Sequence, residues 1–397
     1  MAEKRRDSKN RILHLGESQR KDGRYAYKYT DASGRVHFVY AWKLVPTDKT
    51  PVGKRDDISL REKEKKIRKD LDDGINMKGG KITVRELYIK QTRHHGNVRY
   101  NTAQGRKRLM KLLEEDRLGS YPIESVKQSD VKEWVLRMKQ KGISYKTINN
   151  DKRSLKAAFY TAIQDDCIRK NPFAFQLSTV IEDDTAPKVP LTLEQEENLL
   201  AFISKDRIYQ KYYDEFIILL GTGLRISELC GLTDSNLDFE NKTIKVDHQL
   251  LRSAETGYYI EKPKTQSGIR QIPMSEKVYA ALRRVLENRK EVKNININGW
   301  SNFLFLNRDG YPKTASNYDN MFRRLVEKYN KFHETALPKA MTPHTLRHTF
   351  CTNLANAGMN PKALQYVMGH SNISMTLDYY AHASFTTAKA EMERLIA

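Results

Sequence analysis

Cysteine is scarce in this 397-residue chain: Cys167, Cys230 and Cys351 stand far apart and form no CxxC. That excludes a disulfide framework and a thiolate zinc site, and predicts buried, reduced thiols. Long apolar runs are missing too. No stretch approaches the roughly 18 apolar residues that cross a bilayer, and with 39% hydrophobic residues and a mean hydropathy of −0.71 the chain reads as water-soluble with a core. A membrane partner is excluded. The opening MAEKRRDSKNR has no apolar h-region, so a secretory signal is not expected and the cytoplasm is the expected compartment. Negative charge is in deficit, with 49 Asp+Glu against 70 Lys+Arg and a net charge of +21. Such a balance predicts a polyanionic partner, nucleic acid before any other. Internal repeats and low-complexity tracts are absent, which excludes a solenoid and a long disordered tail.

What charge there is lies unevenly. Residues 1–80 hold 21 basic and 13 acidic side chains, residues 81–190 hold 22 and 13, and residues 191–397 hold 27 and 23. Most attraction for phosphate therefore belongs to the first half. Arg24–Thr30 (RYAYKYT) and Arg35–Tyr40 (RVHFVY) alternate apolar with polar around a turn at Asp31–Gly34, predicting a β-hairpin. Ser59 with Glu62 is a capping box and predicts a helix ending near Gly74. Arg24, Lys28 and Arg35 on such a ribbon suit either a DNA major groove or a solvated sheet face. Residues 83–94, 102–117, 129–140 and 145–166 read as four helices. On the last, Ile148, Leu155, Phe159 and Ile163 share one face, while Lys146, Lys152 and Arg153 lie elsewhere as candidate DNA contacts. The polar, proline-containing stretch Glu182–Pro190 reads as a linker. Beyond it Thr192 and Gln195 form a second capping box, followed by helices and short strands near 242–246, 257–262 and 268–273.

Candidate chemistry sits in the last segment. Arg225 and Glu228 are three residues apart, so they share a helix face; this is either a surface ion pair or a carboxylate that fixes a guanidinium for an anion. The glycines before them lack the GKS/T ending of a phosphate loop. His344 and Arg347 repeat the spacing just after Pro343, and a second guanidinium would complete a clamp for the nonbridging oxygens of a phosphorane. Lys264, in the basic turn between two expected strands, could protonate a departing alkoxide. His370 follows Gly369, and Tyr380 stands two residues before His382. No Asp/Glu cluster suited to two cations is evident, so a metal nuclease is disfavoured.

Taken in order, Arg225-x-x-Glu228, Lys264, His344-x-x-Arg347, Gly369-His370 and Tyr380-x-His382 resemble the signature of the tyrosine recombinases, the phage lambda integrase superfamily. The amino-terminal stretch and the wording around Tyr380 are most similar to integrases of conjugative transposons. The resemblance implies a multidomain, mainly α chain with small β-sheets. Residues 1–80 would be an arm-type DNA-binding domain with a β-hairpin and a helix. Residues 81–181 would be a four-helix core-binding bundle and 182–190 a linker. Residues 191–397 would be a mixed, mostly helical catalytic domain with a C-terminal tail. It implies a site-specific recombinase that excises and integrates a mobile element through a 3′-phosphotyrosine and a four-way junction, without metal, ATP or other cofactor. Tyr380 would attack the scissile phosphate, Arg225 and Arg347 hold its oxygens, Lys264 protonate the leaving 5′-oxygen, and His344 and His370 assist. Glu228 would stand behind them. Tyr379 directly precedes Tyr380, and either hydroxyl could reach the phosphate if the local helix rotated by one residue; the family pattern of a nucleophile two residues before a histidine favours Tyr380 and leaves Tyr379 to packing. Double-stranded DNA, a synaptic tetramer built on it, and an excision factor are the partners this implies. The tail from Ser384 to Ala397, with Met392, Leu395 and Ile396 at helical spacing, could dock on a neighbour or on its own domain. Two other readings compete: a DNA-binding regulator without strand exchange, and a type IB topoisomerase, which would not synapse two duplexes.

Overall fold

The computed structural model describes residues 5–30, 34–72, 81–94, 96, 98–185, 189–289, 295–380 and 392–393. The expected turn at Asp31–Ser33, the middle of the expected linker, His382 and all of the tail except Met392 and Glu393 lie outside them. The chain divides into two compact units, Met1–Ala186 and Pro187–Ala397.

The first unit begins with an antiparallel sheet in the order β1 (Glu17–Gln19), β2 (Tyr25–Thr30), β3 (Val36–Ala41). Tyr27 pairs with Val39 and Lys28 with Phe38. Tyr25 and Tyr27 are buried against Leu60 and Ile67 of α1 (Leu60–Asp72). The opposite face of β3 leaves Val36, Phe38 and Tyr40 exposed. The Ser59 amide and hydroxyl both donate to Glu62 Oε2, at 3.0 and 2.7 Å, so the expected box starts α1. Four helices follow: α2 (Val84–His94), α3 (Tyr100–Glu115), α4 (Gln128–Gln140) and α5 (Tyr145–Gln164). They close on Trp134, Phe159 and Phe173, a core separate from that of the sheet.

In the second unit Thr192 and Gln195 cap α6 (Leu193–Lys205) reciprocally. Next come α7 (Tyr213–Thr222) and α8 (Ile226–Gly231). The α7 sequence YDEFIILLGT is apolar on nearly every side after its first turn. It therefore runs through the domain core, between α9 (Glu276–Glu287) and α11 (Pro343–Asn356). Two small sheets flank it. One has the antiparallel order β4 (Leu237–Asp238), β5 (Thr243–Val246), β8 (Arg270–Pro273); the other is a hairpin of β6 (Gln249–Ser253) and β7 (Gly257–Glu261). The strands on either side of Lys264 thus belong to different sheets, because β7 pairs back to β6 while β8 crosses to β5. Lys264 lies in the link between them rather than at a hairpin tip. The domain ends with α10 (Ala315–Phe332), α11, α12 (Pro361–Met368) and the short α13 (Ser374–Leu377). All three cysteines are free and buried.

Candidate active site

Two helix ends build the site. Both α7 and α12 stop at glycines in the left-handed conformation, Gly223 at φ 61° and Gly369 at φ 63°, where a residue with a Cβ is strained. A Cβ on Gly223 would stand 2.4 Å from the Phe350 ring. The chain can reverse there only because the side chain is missing. The carbonyls left without helical partners point inward and meet arginines, cations at the negative end of the helix dipole. Arg347 Nη1 donates to the Gly223 carbonyl at 2.6 Å and its Nη2 to that of Met368. Arg225 Nη2 donates to Gly369 at 3.1 Å, and Arg270 Nε to Val367 at 2.6 Å.

Glu228 binds the arginines together. It sits in the first turn of α8, with Arg225 as the N-cap; its Oε2 accepts the Arg225 amide at 2.9 Å and its Oε1 accepts Nη1 at 2.7 Å. From the other side Arg270 Nη2 and Nη1 donate to the same carboxylate at 2.9 and 3.2 Å. The expected pair Arg225–Glu228 is therefore a buried bridge between two cations and not a surface contact. Burial works to raise the carboxyl pKa, but the charges of Arg270, Arg225 and Arg347 outweigh it and hold it at about 2. Burial, then repulsion from Arg225 and Arg270, pushes Arg347 down to about 9, still a cation at neutral pH.

The histidines converge on the same place. His370 is buried, its Nδ1 hydrogen-bonded to the Thr376 hydroxyl at 3.0 Å. Burial first, then Arg347 and Arg225, lowers its pKa to about 4, so the ring is neutral at physiological pH. His344 is exposed at the start of α11 and meets the His348 ring edge-on, centroids 4.8 Å apart. His348 Nδ1 in turn shares a hydrogen bond with the Tyr379 hydroxyl. The Tyr380 hydroxyl goes elsewhere, donating to the Met359 carbonyl, although both tyrosines pack against the cluster of Cys351, Ala355, Leu364 and Met368. Adjacent residues in a helical turn diverge by about 100°, which sends the two hydroxyls to different partners. Lys264 is exposed.

Two features escape the sequence reading. Arg270 is the third arginine of the cluster; alternation along β8 puts Arg270 and Ile272 inward, and only that period hinted at it. His348 is the other, in plain view but without a signal to rank it, whereas Tyr379 is weighed in the sequence and left to packing by the family pattern. Among the DNA-contact candidates, Lys28, Arg35, Lys146 and Arg153 are exposed, and Arg24 pairs with Asp22 at 2.7 Å beneath the rings of Tyr40 and Trp42. Lys152 is different. It is buried, its Nζ donates to the Phe175 carbonyl and lies 4.3 Å from that ring's centre, and burial lowers its pKa. The helical face assigned from sequence put it outside, whereas the Phe175 segment folds over it. Among the described residues one cluster has metal-ligand character, His14, Glu17 and Glu64 in the first unit, with Arg61 and Arg68 paired to its carboxylates.

Comparison with known proteins bears on what this arrangement is. Residues 190–387 match the phage integrase family, and residues 1–71 match the DNA binding domain of the Tn916 integrase. The transposase from transposon Tn916 of Enterococcus faecalis is 62% identical over 395 residues, which is 100% of this chain and 97% of that protein. This chain belongs to the phage integrase family. The integrase is accordingly a tyrosine recombinase, an enzyme that cleaves and rejoins DNA strands. Two solved structures of the Tn1549 transposon integrase, both spanning residues 82–397, resemble it closely. The R225K form in complex with a circular intermediate DNA is 70% identical with a TM-score of 0.77, covering 79% of this chain and 99% of that one. The Y379F form in complex with transposon right end DNA is 70% identical with a TM-score of 0.76, covering 79% and 100%.

Proposed function

We propose that this integrase excises and integrates a conjugative transposon, acting on double-stranded DNA at the element ends and on a circular intermediate, with Tyr379 as its nucleophile. The observation that carries the assignment is the fate of two hydroxyls: that of Tyr379 meets His348, one residue from the phosphate-binding candidate Arg347, while that of Tyr380 is spent on a backbone carbonyl. The Tn1549 complexes support it, since their substitutions fall at the positions of Arg225 and Tyr379 here. Tyr379 replaces Tyr380 in the reading drawn from sequence.

In this reading Arg225 and Arg347 bind the nonbridging oxygens of the scissile phosphate. Each guanidinium has five N–H donors and has committed two of them to protein oxygens, so donors remain for the phosphate without reorganisation. Glu228 and Arg270 keep the clamp in place. Lys264, on the link between β7 and β8, gives its proton to the leaving 5′-oxygen, and His344 and neutral His370 donate hydrogen bonds. The resulting 3′-phosphotyrosine retains the diester bond energy, so a second 5′-hydroxyl attacks it and strands exchange through a four-way junction. Residues 1–80, 81–181 and 191–397 divide the work as arm-binding, core-binding and catalytic domains around a 182–190 linker; the separate cores support that division. Arg24, Lys28, Arg35, Lys146 and Arg153 contact DNA. A synaptic tetramer, an excision factor and a cytoplasmic setting complete the proposal. Among the described residues no helix is long and apolar enough to cross a membrane.

The test incubates the protein with a nicked duplex carrying an element end and resolves the covalent adduct on a denaturing gel. Tyr379→Phe is expected to abolish the band and Tyr380→Phe to retain it. Loss in Tyr380→Phe alone overturns the assignment.

A further inference from the structure

An attacking phenol must lose its proton, and Tyr379 holds that proton tightly. Burial, with a smaller contribution from Cys351, raises its pKa to about 12. Water near neutral pH is a poor acceptor for such a group, so a base within hydrogen-bond reach is needed. His348 is in that position. It lies on α11 four residues after His344 and directly after Arg347, and its Nδ1 is bonded to the Tyr379 hydroxyl. The two rings are 5.5 Å apart, and the edge-on ring of His344 fixes the imidazole from its other side at 4.8 Å. The buried histidine of the cluster, His370, has its Nδ1 committed to Thr376.

We infer that His348 is the general base of strand cleavage, its Nδ1 accepting the Tyr379 proton as the phenolic oxygen attacks phosphorus. The step balances within the site. The O–H bond of Tyr379 breaks and the proton passes to Nδ1; the new P–O bond forms, the P–O5′ bond breaks, and the Lys264 proton goes to the 5′-oxygen. Rejoining runs the same transfers backward, with His348 returning its proton to the departing tyrosine. Around the imidazole stand Arg347 and His344 of its own helix, Tyr379 after α13 and His370 after α12. A proton arriving there adds positive charge beside an arginine. The phosphate's negative charge offsets this, so the base becomes competent when DNA is in place.

This inference rests on Tyr379 being the nucleophile, and the experiment separates the two. Single-turnover adduct formation by the full chain is measured on the ordinary nicked duplex and on one whose scissile 5′-oxygen is sulfur, a leaving group that needs no acid. His348→Ala and His348→Asn, checked for retained DNA binding, are both expected to slow adduct formation by about 10²–10⁴-fold on both substrates. Lys264→Ala is expected to be slow on oxygen and restored on sulfur. Asparagine can accept the tyrosine hydrogen bond but cannot take its proton, so near-normal cleavage by His348→Asn would reduce His348 to a positioning residue and overturn the inference. Normal or faster cleavage by His348→Ala would do the same. If Tyr379→Phe still forms adduct and Tyr380→Phe does not, the nucleophile assignment fails first and His348 falls with it. If Tyr379→Phe is dead while the His348 variants cleave normally, this inference alone fails.

Discussion

Glu228 meets two guanidiniums with one carboxylate; removing it would leave Arg270 buried without its ionic partner, and removing Arg270 would leave the buried carboxylate with Arg225 alone. Its partner Arg270 is wholly buried. Breaking such a pair from one side costs about 3–5 kcal/mol. Arg270→Ala is therefore expected to lower the melting temperature of the protein by about 6–20 °C and to weaken adduct formation only through the loosened clamp; an unchanged melting curve would contradict this. Protons act on the same cluster in two windows. The folded pKa of His370 is about 4 against an ordinary 6.5, so between these values the unfolded chain binds the extra proton and stability falls as pH falls. The Glu228 carboxyl, at about 2 against 4.5, likewise stabilises the fold above the ordinary value and loses its contribution as pH drops toward 2. Denaturant titrations from pH 7 to 4 should show a decline that His370→Gln flattens; an equal slope in both proteins would remove His370 as its source.

At the level of helices and strands, α5 carries a contrast between two lysines. Lys146 is exposed, and Lys152 is buried against Phe175. Lys146→Ala is expected to leave unfolding unchanged and to reduce the salt slope of DNA binding by about one. Lys152→Ala is expected to destabilise the helical bundle and leave that slope unchanged, measured by binding across a salt series. Much of this architecture is legible in the residues because its causes are local. The Ser59–Glu62 and Thr192–Gln195 boxes start α1 and α6, and the apolar stripe of Ile148, Leu155 and Phe159 marks the inner face of α5. What depends on distant partners is not legible. The strand β6 has no turn signal before it, and the exchange of partners between β7 and β8 depends on pairings to β6 and β5. Arg270 looks like any surface arginine until β8 is placed beside α12. Arg225, Glu228, His344, Arg347 and His370 stand out in the sequence through the resemblance of their order to the tyrosine recombinases, whereas Tyr379 and Tyr380 differ only in what their hydroxyls meet after folding.

Across the whole molecule, positive charge is concentrated in the first 190 residues while the chemistry lies beyond them. Grip and cutting are thus expected to be separable properties. Affinity of the full chain for duplex DNA is expected to fall steeply, by about 10³-fold or more between roughly 50 and 200 mM salt, in both wild type and Tyr379→Phe. A flat response, or one that differed between the two, would contradict that separation. The arginines are the exception, since they also hold the carbonyls of Gly223, Met368 and Gly369 at the ends of α7 and α12. With Tyr379 as the proposed nucleophile, Tyr379→Phe is expected to leave a folded subunit that binds DNA without cutting it. Arg347→Ala is expected to loosen the helix ends that the same side chain ties, read as faster limited proteolysis than Tyr379→Phe shows. Loss of the clamp is therefore expected to cost structure as well as chemistry, whereas loss of the proposed nucleophile is expected to cost chemistry alone.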